Sequence, residues 1–271
     1  MADAALVEIF RRDRTVVGVA LAIITAVTWT YLLWLSHEMA STSMGGNMPM
    51  SGMQGMDSMA APAIRPWSLS DFAFVFVMWT IMMVGMMTPS AAPMILIYAN
   101  VGRQAMQQGR PFPAVGWFTA GYLLAWTGFS LLATVSQWAL TRAAMLTPGM
   151  QTASGLIGGL LLIAAGIYQW TPVKDICLKH CQSPLIFIQR HGGFRRDIAG
   201  SLSMGLRHGL YCVGCCWALM LLLFVGGVMN VLWIAALAML VLIEKVGSSG
   251  RIFSRAVGVV LLLAGVWTIL Q

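Results

Sequence analysis

Long apolar stretches separated by short polar segments make up most of the 271-residue chain. Their lengths approach or exceed the roughly 18 residues that indicate a transmembrane helix. In lipid a helix satisfies its own backbone hydrogen bonds, and the alternating pattern typical of a membrane β-barrel is absent. We therefore predict an all-α polytopic transmembrane helix bundle of about seven spans, at residues 16–35, 72–98, 114–138, 152–170, 209–227, 229–246 and 252–270.

The fifth and sixth predicted spans meet at Gly226-Gly227-Val228-Met229-Asn230, where we predict a tight turn. One uninterrupted helix here would have about 35 residues, too many for a hydrocarbon core about 30 Å thick. The pattern divides the chain into an N-terminal segment, a first transmembrane helix, a polar loop and a helix-bundle domain, at residues 1–15, 16–35, 36–70 and 71–271. The last of these includes a Cys/His loop at residues 171–208.

The basic residues predict how the bundle lies in the membrane. Of the 16 Lys and Arg residues, 14 fall on one side of the seven-span arrangement, and only Arg65 and Arg142 fall on the other. By the positive-inside rule, the N-terminus and the 171–208 loop are cytoplasmic, whereas the 36–70 loop and the C-terminus lie outside. We expect a multi-pass protein of the bacterial inner membrane. The net charge of +7 is then a signal of topology and of contact with the lipid bilayer, and no nucleic acid partner is predicted.

The predicted outer loop, residues 36–70, is rich in methionine among Gly, Ser, Pro and Asn. Methionine usually fills gaps in protein cores, but this segment has too few aliphatic residues to form a core. Thioethers select the soft ion Cu(I), which favours copper binding. The alternative is a flexible spacer of biased composition. The candidate ligands are Met48, Met50, Met53, Met56 and Met59, with His37 at the start of the loop.

The second predicted span, with the sequence "VMWTIMMVGMMTPSAAPM", contains a further group of methionines. At about 100° per residue, these side chains form two neighbouring ridges on one half of the helix. If they stood alone, ordinary packing by flexible side chains would be the favoured explanation. Because they follow the methionine loop, we predict a ladder of thioethers for a soft cation, formed by Met78, Met82, Met83, Met86 and Met87.

All five cysteines of the chain fall in two short clusters, "CLKHC" and "HGLYCVGCC". Helical spacing places the members of each cluster on a common face, and both clusters lie on the predicted cytoplasmic side. That compartment is reducing, so structural disulfides are disfavoured. The alternative to metal binding is ordinary packing of small cysteine side chains. Two or three thiolates fit Cu(I), whereas zinc would need four ligands. The candidate ligands are Cys177, His180 and Cys181, and His208, Cys212, Cys215 and Cys216.

Several stretches resemble a bacterial family of uncharacterised polytopic proteins described as predicted metal-binding integral membrane proteins. The matching segments are "MWTIMMVGMMTPSAAPM", "YQWTPVKDICLKHC", "GLYCVGCCWALM", "GGVMNVLWI" and Glu244-Lys245. The resemblance runs from about residue 70 to the end of the chain and leaves the methionine loop outside. It implies a role in metal binding for Met82, Met83, Met86, Met87, Cys177, Cys181, Cys212, Cys215, Cys216, Trp217, Met220, Glu244 and Lys245.

Together these features predict a protein that binds a soft metal, Cu(I) rather than zinc, and transfers it across or within the membrane. The outer loop would capture the ion, the second span would pass it, and the cytoplasmic thiols would receive it. No nucleotide-binding motif is present, and spans two to five carry almost no ionisable residue for a proton relay, so we expect neither a powered pump nor an enzyme.

Two other functions are compatible with the same sequence features. The first is an accessory subunit or metallation factor of a copper-containing membrane enzyme, with that enzyme or a copper chaperone as its partner. The second is a membrane thiol–disulfide oxidoreductase, because "CVGC" has the spacing of a redox pair. The spacing Gly205-x-x-x-Gly209 also allows close helix contacts, either inside the bundle or in a homo-oligomer.

Overall fold

The described residues of this computed structural model, 2–44, 67–109, 115–147, 150–191, 193, 197–247 and 249–271, form an all-α fold, as predicted. They contain no strand, only one isolated bridge between Leu146 and Thr152. The helices are α1 (Ala2–Met44), α2 (Leu69–Gln107), α3 (Val115–Arg142), α4 (Gly155–Tyr168), α5 (Pro172–Gln182), α6 (Pro184–Arg190), α7 (Ile198–Leu221), α8 (Leu223–Gly226), α9 (Val231–Val246) and α10 (Gly250–Leu270).

Five of the described helical segments are long and apolar enough to cross a membrane. A sixth span results if α4 and α5, which are bent by 66° at a short break, count as one broken span. The predicted sixth span corresponds to α9, which has only 16 residues. The predicted turn before it is confirmed, because α8 ends at Gly226, Gly227 has a φ of +95°, and Asn230 caps α9. The total of seven spans and the orientation remain predictions.

Two predicted loops contain more helix than expected. The 171–208 segment holds α5, α6 and the start of α7, because Thr171 and Asp197 cap α5 and α7 by accepting hydrogen bonds from Lys174 N and Gly200 N. The first helix continues past residue 35 to Met44, so exposed His37 lies on a helix rather than in a loop. The loop methionines lie outside the described residues: Met48, Met50, Met53, Met56 and Met59.

Glycines set the closest helix contacts in the bundle. A Cβ on Gly205 would come within 2.0 Å of the Phe118 carbonyl oxygen, and one on Gly209 within 2.9 Å of the Tyr122 carbonyl oxygen. The Gly205-x-x-x-Gly209 motif therefore packs α7 against α3 inside the chain. Gly159 and Gly265 bring α4 and α10 together in the same way. Small residues allow such approaches where side chains would hold the backbones apart.

The central and peripheral helices differ in how much of their surface is covered. Half or more of the apolar window is buried in α2, α3 and α7, whereas only 11% is buried in α1 and 22% in α10. The large apolar side chains on the open faces, such as Val27, Trp34, Leu263 and Trp267, suit contact with lipid. The candidate ligands of α2 and α7 thus lie in the middle of the bundle.

Candidate metal centre

A cysteine from α5 and a cysteine from α7 approach each other inside the bundle. The Sγ atoms of Cys181 and Cys215 are 3.9 Å apart, and all five cysteines are free. That separation is far longer than a disulfide bond of about 2.05 Å. It is shorter than the roughly 4.6 Å that two metal–thiolate bonds of about 2.3 Å, the length known for zinc, can span end to end. One ion could therefore bridge the two sulfurs.

Cys212 lies one turn before Cys215 and completes the group. The Sγ atoms of Cys215 and Cys216 both turn back toward Cys212, the residue one helical turn before them. Cys215 and Cys216 also donate to the Cys212 carbonyl oxygen, each at 3.0 Å. The three cysteines of α7 are buried. We call Cys181, Cys212, Cys215 and Cys216 the thiol cluster.

Two polar side chains from other helices contact the Cys212 sulfur. The Lys245 ammonium of α9 is 2.8 Å from Sγ, and the Tyr122 hydroxyl of α3 is 3.1 Å from it. Lys245 also donates to Ser90 Oγ in α2 at 3.2 Å. Three helices, α3, α7 and α9, therefore meet at the Cys212 sulfur, and α2 is joined to this contact through Lys245.

Glu244 attaches α5 to α9. Its carboxylate accepts two hydrogen bonds from Lys174 Nζ, at 2.9 and 3.0 Å, and its carbonyl oxygen accepts one from Gln182 Nε2 at 2.7 Å. Lys174 and Gln182 lie near opposite ends of α5. Cys181 lies between these two anchor residues, and Lys245 directly follows Glu244. Glu244 therefore holds both Cys181 and Lys245 beside the thiol cluster.

Cys177 lies apart from the thiol cluster. A Cβ on Gly214 would come within 2.8 Å of its Sγ, so the side chain lies against the backbone of α7. It also lines an open cleft of about 420 Å³, together with His191, Arg207, Leu210 and Tyr211. This half-buried thiol is therefore a position at which a soluble ligand could approach the cluster.

The two predicted histidine ligands contact aromatic rings. His180 stacks on Tyr211 with ring centroids 4.4 Å apart, and its Nδ1 pairs with the Ile176 carbonyl oxygen at 2.8 Å. His208 lies against the ring of Phe187 at 5.2 Å, and its buried Nδ1 has no hydrogen-bond partner among the described residues. Helical spacing placed both residues beside the cysteines, but these contacts support a packing role for the rings.

The predicted methionine ladder is buried in the core. Its members are at most 2% exposed, and they are Met78, Met82, Met83, Met86 and Met87. One end adjoins the thiol cluster, because the Tyr122 hydroxyl that contacts Cys212 also donates to the Met87 carbonyl oxygen at 3.1 Å. At the other end, Trp79 donates to Gln137 at 2.7 Å. From Met78 to Met87 the helix rises about 13 Å.

Three polar contacts of this centre escaped the sequence-based reasoning. The resemblance names Glu244 and Lys245 but gives them no partners, whereas in the structure both are buried and each contacts a different side chain. Lys174 was counted only as a charge of the predicted loop. One sequence signal could have identified Lys174, Glu244 and Lys245 as members of the site, namely that they are ionisable residues next to apolar segments. Such residues mark functional positions in membrane proteins. Tyr122 had no such signal.

The arrangement defines a helical protein of the membrane type with a buried cluster of soft ligands. No three His, Cys, Asp or Glu side chains in the described part of the chain converge closely enough to hold a metal ion as they stand. The model of a family described as "PpoB2: Copper chaperone" matches residues 76–268. The chain belongs to this copper chaperone family. The family's link to copper agrees with the metal predicted from the soft ligands. The comparisons with curated proteins and with solved structures find no match.

Proposed function

We propose that this protein binds Cu(I) at the thiol cluster and transfers it within or across the bacterial inner membrane. The observation that carries the proposal is the approach of Cys181 and Cys215 to 3.9 Å in a chain of a copper chaperone family. Thiolates are soft ligands and select Cu(I) over hard cations. The metal is cargo in this proposal, and the protein acts by binding and release rather than by catalysis.

The number of available ligands favours copper over zinc. Structural zinc is almost always held by four ligands in a tetrahedron. The described residues bring two thiols to 3.9 Å, with Cys212 and Cys216 close by, and both histidines pack against aromatic rings. Two or three thiolates satisfy Cu(I), so the cluster can take this ion with small side-chain movements.

The methionine ladder is proposed as the route between the cluster and the far end of α2. A thioether is neutral and binds Cu(I) more weakly than a thiolate does, so an ion on the ladder moves easily and comes to rest at the cluster. The cleft beside Cys177 offers a second approach from the α5 side. With the predicted orientation, the ladder would lead inward and the cleft would face the cytoplasm.

The test is a competitive Cu(I) titration of the purified full-length protein. The wild type is compared with Cys212→Ser/Cys215→Ser/Cys216→Ser against a Cu(I) chelator of known affinity. We expect one tightly bound equivalent in the wild type and its loss in the triple variant. Cys177→Ser is the matched control, because it removes a thiol outside the cluster and should keep the tight equivalent. Equal binding by the wild type and the triple variant would overturn the proposal.

A second candidate is a metallation factor that donates copper to a copper-containing membrane enzyme. The family description favours it, because a chaperone hands its metal to a recipient. The open apolar faces of α1 and α10 leave room for such a partner. Purification at natural expression levels tests this idea. A copper enzyme should co-purify with the chain, and its copper content should fall when the thiol cluster is mutated. Full copper loading of that enzyme in the mutant would contradict it.

A further inference from the structure

Lys245 is a buried ammonium group at the end of α9. Its side chain reaches the centre of the bundle, where Nζ lies 2.8 Å from the Cys212 sulfur and 3.2 Å from Ser90 Oγ. Only 7% of the residue is exposed. A buried charge is costly unless an opposite charge compensates it, and charges inside membrane proteins are rarely retained without a function.

Among the described residues, no carboxylate forms an ion pair with Lys245. The adjacent acid, Glu244, is occupied by Lys174 in an ion pair at 2.9 Å, and both side chains of this pair are 1% exposed. The other ion pairs of the described residues join Asp175 to Arg251 and Arg255, and none includes Lys245. Lys245 donates instead to the Cys212 sulfur and the Ser90 hydroxyl, so its counter-charge has to come from the thiol cluster, whose members bind a metal as thiolates.

We propose that Lys245 is the counter-charge of the loaded thiol cluster and makes it selective for a monovalent soft cation. The inference rests on the proposed function, since it concerns the same cluster. With Cys181 and Cys215 as thiolates and Cys212 as a neutral thiol, the cluster and Cu(I) carry a net charge of −1, and the Lys245 ammonium brings the total to zero. A divalent ion on the same two thiolates would leave a net charge of +1 in the low-dielectric interior.

This charge balance predicts discrimination by ion charge rather than by size alone. Cu(I) and Ag(I) share charge and softness, so Lys245 favours both in the same way. Zn(II) also binds thiolates well, and the ammonium opposes it unless a third thiolate joins. Lys245 is thus a specificity-determining residue that acts through charge, without itself binding the ion.

Two substitutions separate charge from shape. Lys245→Gln removes the charge and retains a long side chain with a hydrogen-bond donor, whereas Lys245→Arg retains the charge. Lys179→Met is the control, because Lys179 is an exposed lysine of α5 and its loss changes the net charge equally. Each purified full-length protein is titrated with Cu(I), Ag(I) and Zn(II) in turn, and its thermal unfolding is recorded to verify folding.

We expect Lys245→Gln to weaken Cu(I) and Ag(I) binding in parallel by about tenfold or more, because the loaded cluster loses the positive charge that balances it in a medium of low dielectric constant. Zn(II) binding should be unchanged or tighter, and Lys245→Arg and Lys179→Met should keep the wild-type ratio of Cu(I) to Zn(II) affinity. An unchanged ratio in Lys245→Gln would overturn the inference. A changed ratio in Lys245→Arg would also overturn it, and this variant provides the test if Lys245→Gln does not fold. Failure of the wild type to bind Cu(I) would instead overturn the proposed function.

Discussion

The thiol cluster and the methionine ladder are both buried groups of soft ligands, but their surroundings differ. Charged groups lie next to the cluster: the Lys245 ammonium at Cys212, and the Lys174–Glu244 ion pair that anchors α5. The ladder packs in the apolar core, with aromatic neighbours such as Trp79 and Phe224, whose ring centroids are 5.4 Å apart. Charge in this bundle is concentrated where thiolates can form.

The difference suggests separate tasks for the two groups. A cation among neutral thioethers keeps its full charge in a medium of low dielectric constant, which disfavours a long stay. A cation among thiolates is neutralised, and Lys245 balances the remaining negative charge. We therefore expect the cluster to retain the ion and the ladder to let it pass.

Loss of the anchor at Glu244 should damage the cluster side most severely. Glu244→Gln leaves the buried Lys174 ammonium without its counter-charge, which typically costs about 3–5 kcal/mol. We expect a large drop in the thermal unfolding temperature of the purified protein and a loss of Cu(I) affinity. The double variant Lys174→Met/Glu244→Gln removes both charges and should recover much of the stability. If the single variant is as stable as the wild type, the ion pair does not hold α5 in place.

Separation of α3 from α7 should have the next largest effect. In Gly205→Ala the new Cβ would collide with the Phe118 carbonyl oxygen at 2.0 Å, so the helices must move apart. Overpacking of this kind costs about 1–3 kcal/mol and would draw Tyr122 away from Cys212. Gly128→Ala is the control on α3, because nothing lies within 4 Å of its added Cβ. Unfolding temperature and Cu(I) affinity should fall only in Gly205→Ala, and equal values in the two variants would contradict this packing.

The Tyr122 hydroxyl links the two groups, because it contacts the Cys212 sulfur and the Met87 carbonyl oxygen. Tyr122→Phe removes a hydrogen bond worth about 0.5–1.5 kcal/mol, so the Cu(I) affinity should fall by roughly fivefold. Tyr168→Phe is the matched control, since that hydroxyl donates to the Gly214 carbonyl oxygen. A competitive titration should detect a loss only for Tyr122. The same loss in both variants would point to general loosening of α7.

Substitutions in the ladder should have the smallest equilibrium effect. Met82→Leu/Met86→Leu conserves volume, so each change should cost less than about 1.5 kcal/mol of stability. The Cu(I) affinity should match that of the wild type and of Met106→Leu, a control at an exposed methionine of α2. A fall in affinity as large as that of the triple cysteine variant would make the ladder, and not the cluster, the principal site.

The sequence predicted the helical class correctly, because hydrophobic periodicity is a local signal. The 171–208 segment is predicted as a loop, whereas the structure forms helices there and buries Lys174 against Glu244, 70 positions away. Such long-range pairs leave no mark in a single sequence. His180 and His208 had ligand spacing, but the rings of Tyr211 and Phe187 lie beside them.

In the proposed function, thiols from two different helices share one Cu(I) ion. Copper X-ray absorption on the purified full-length protein, loaded with one equivalent of Cu(I), identifies the atoms bound to the metal. We expect two or three sulfur ligands in the wild type and a changed ligand set in Cys181→Ser/Cys215→Ser. A shell dominated by nitrogen or oxygen in the wild type, or identical spectra for the two proteins, would contradict it.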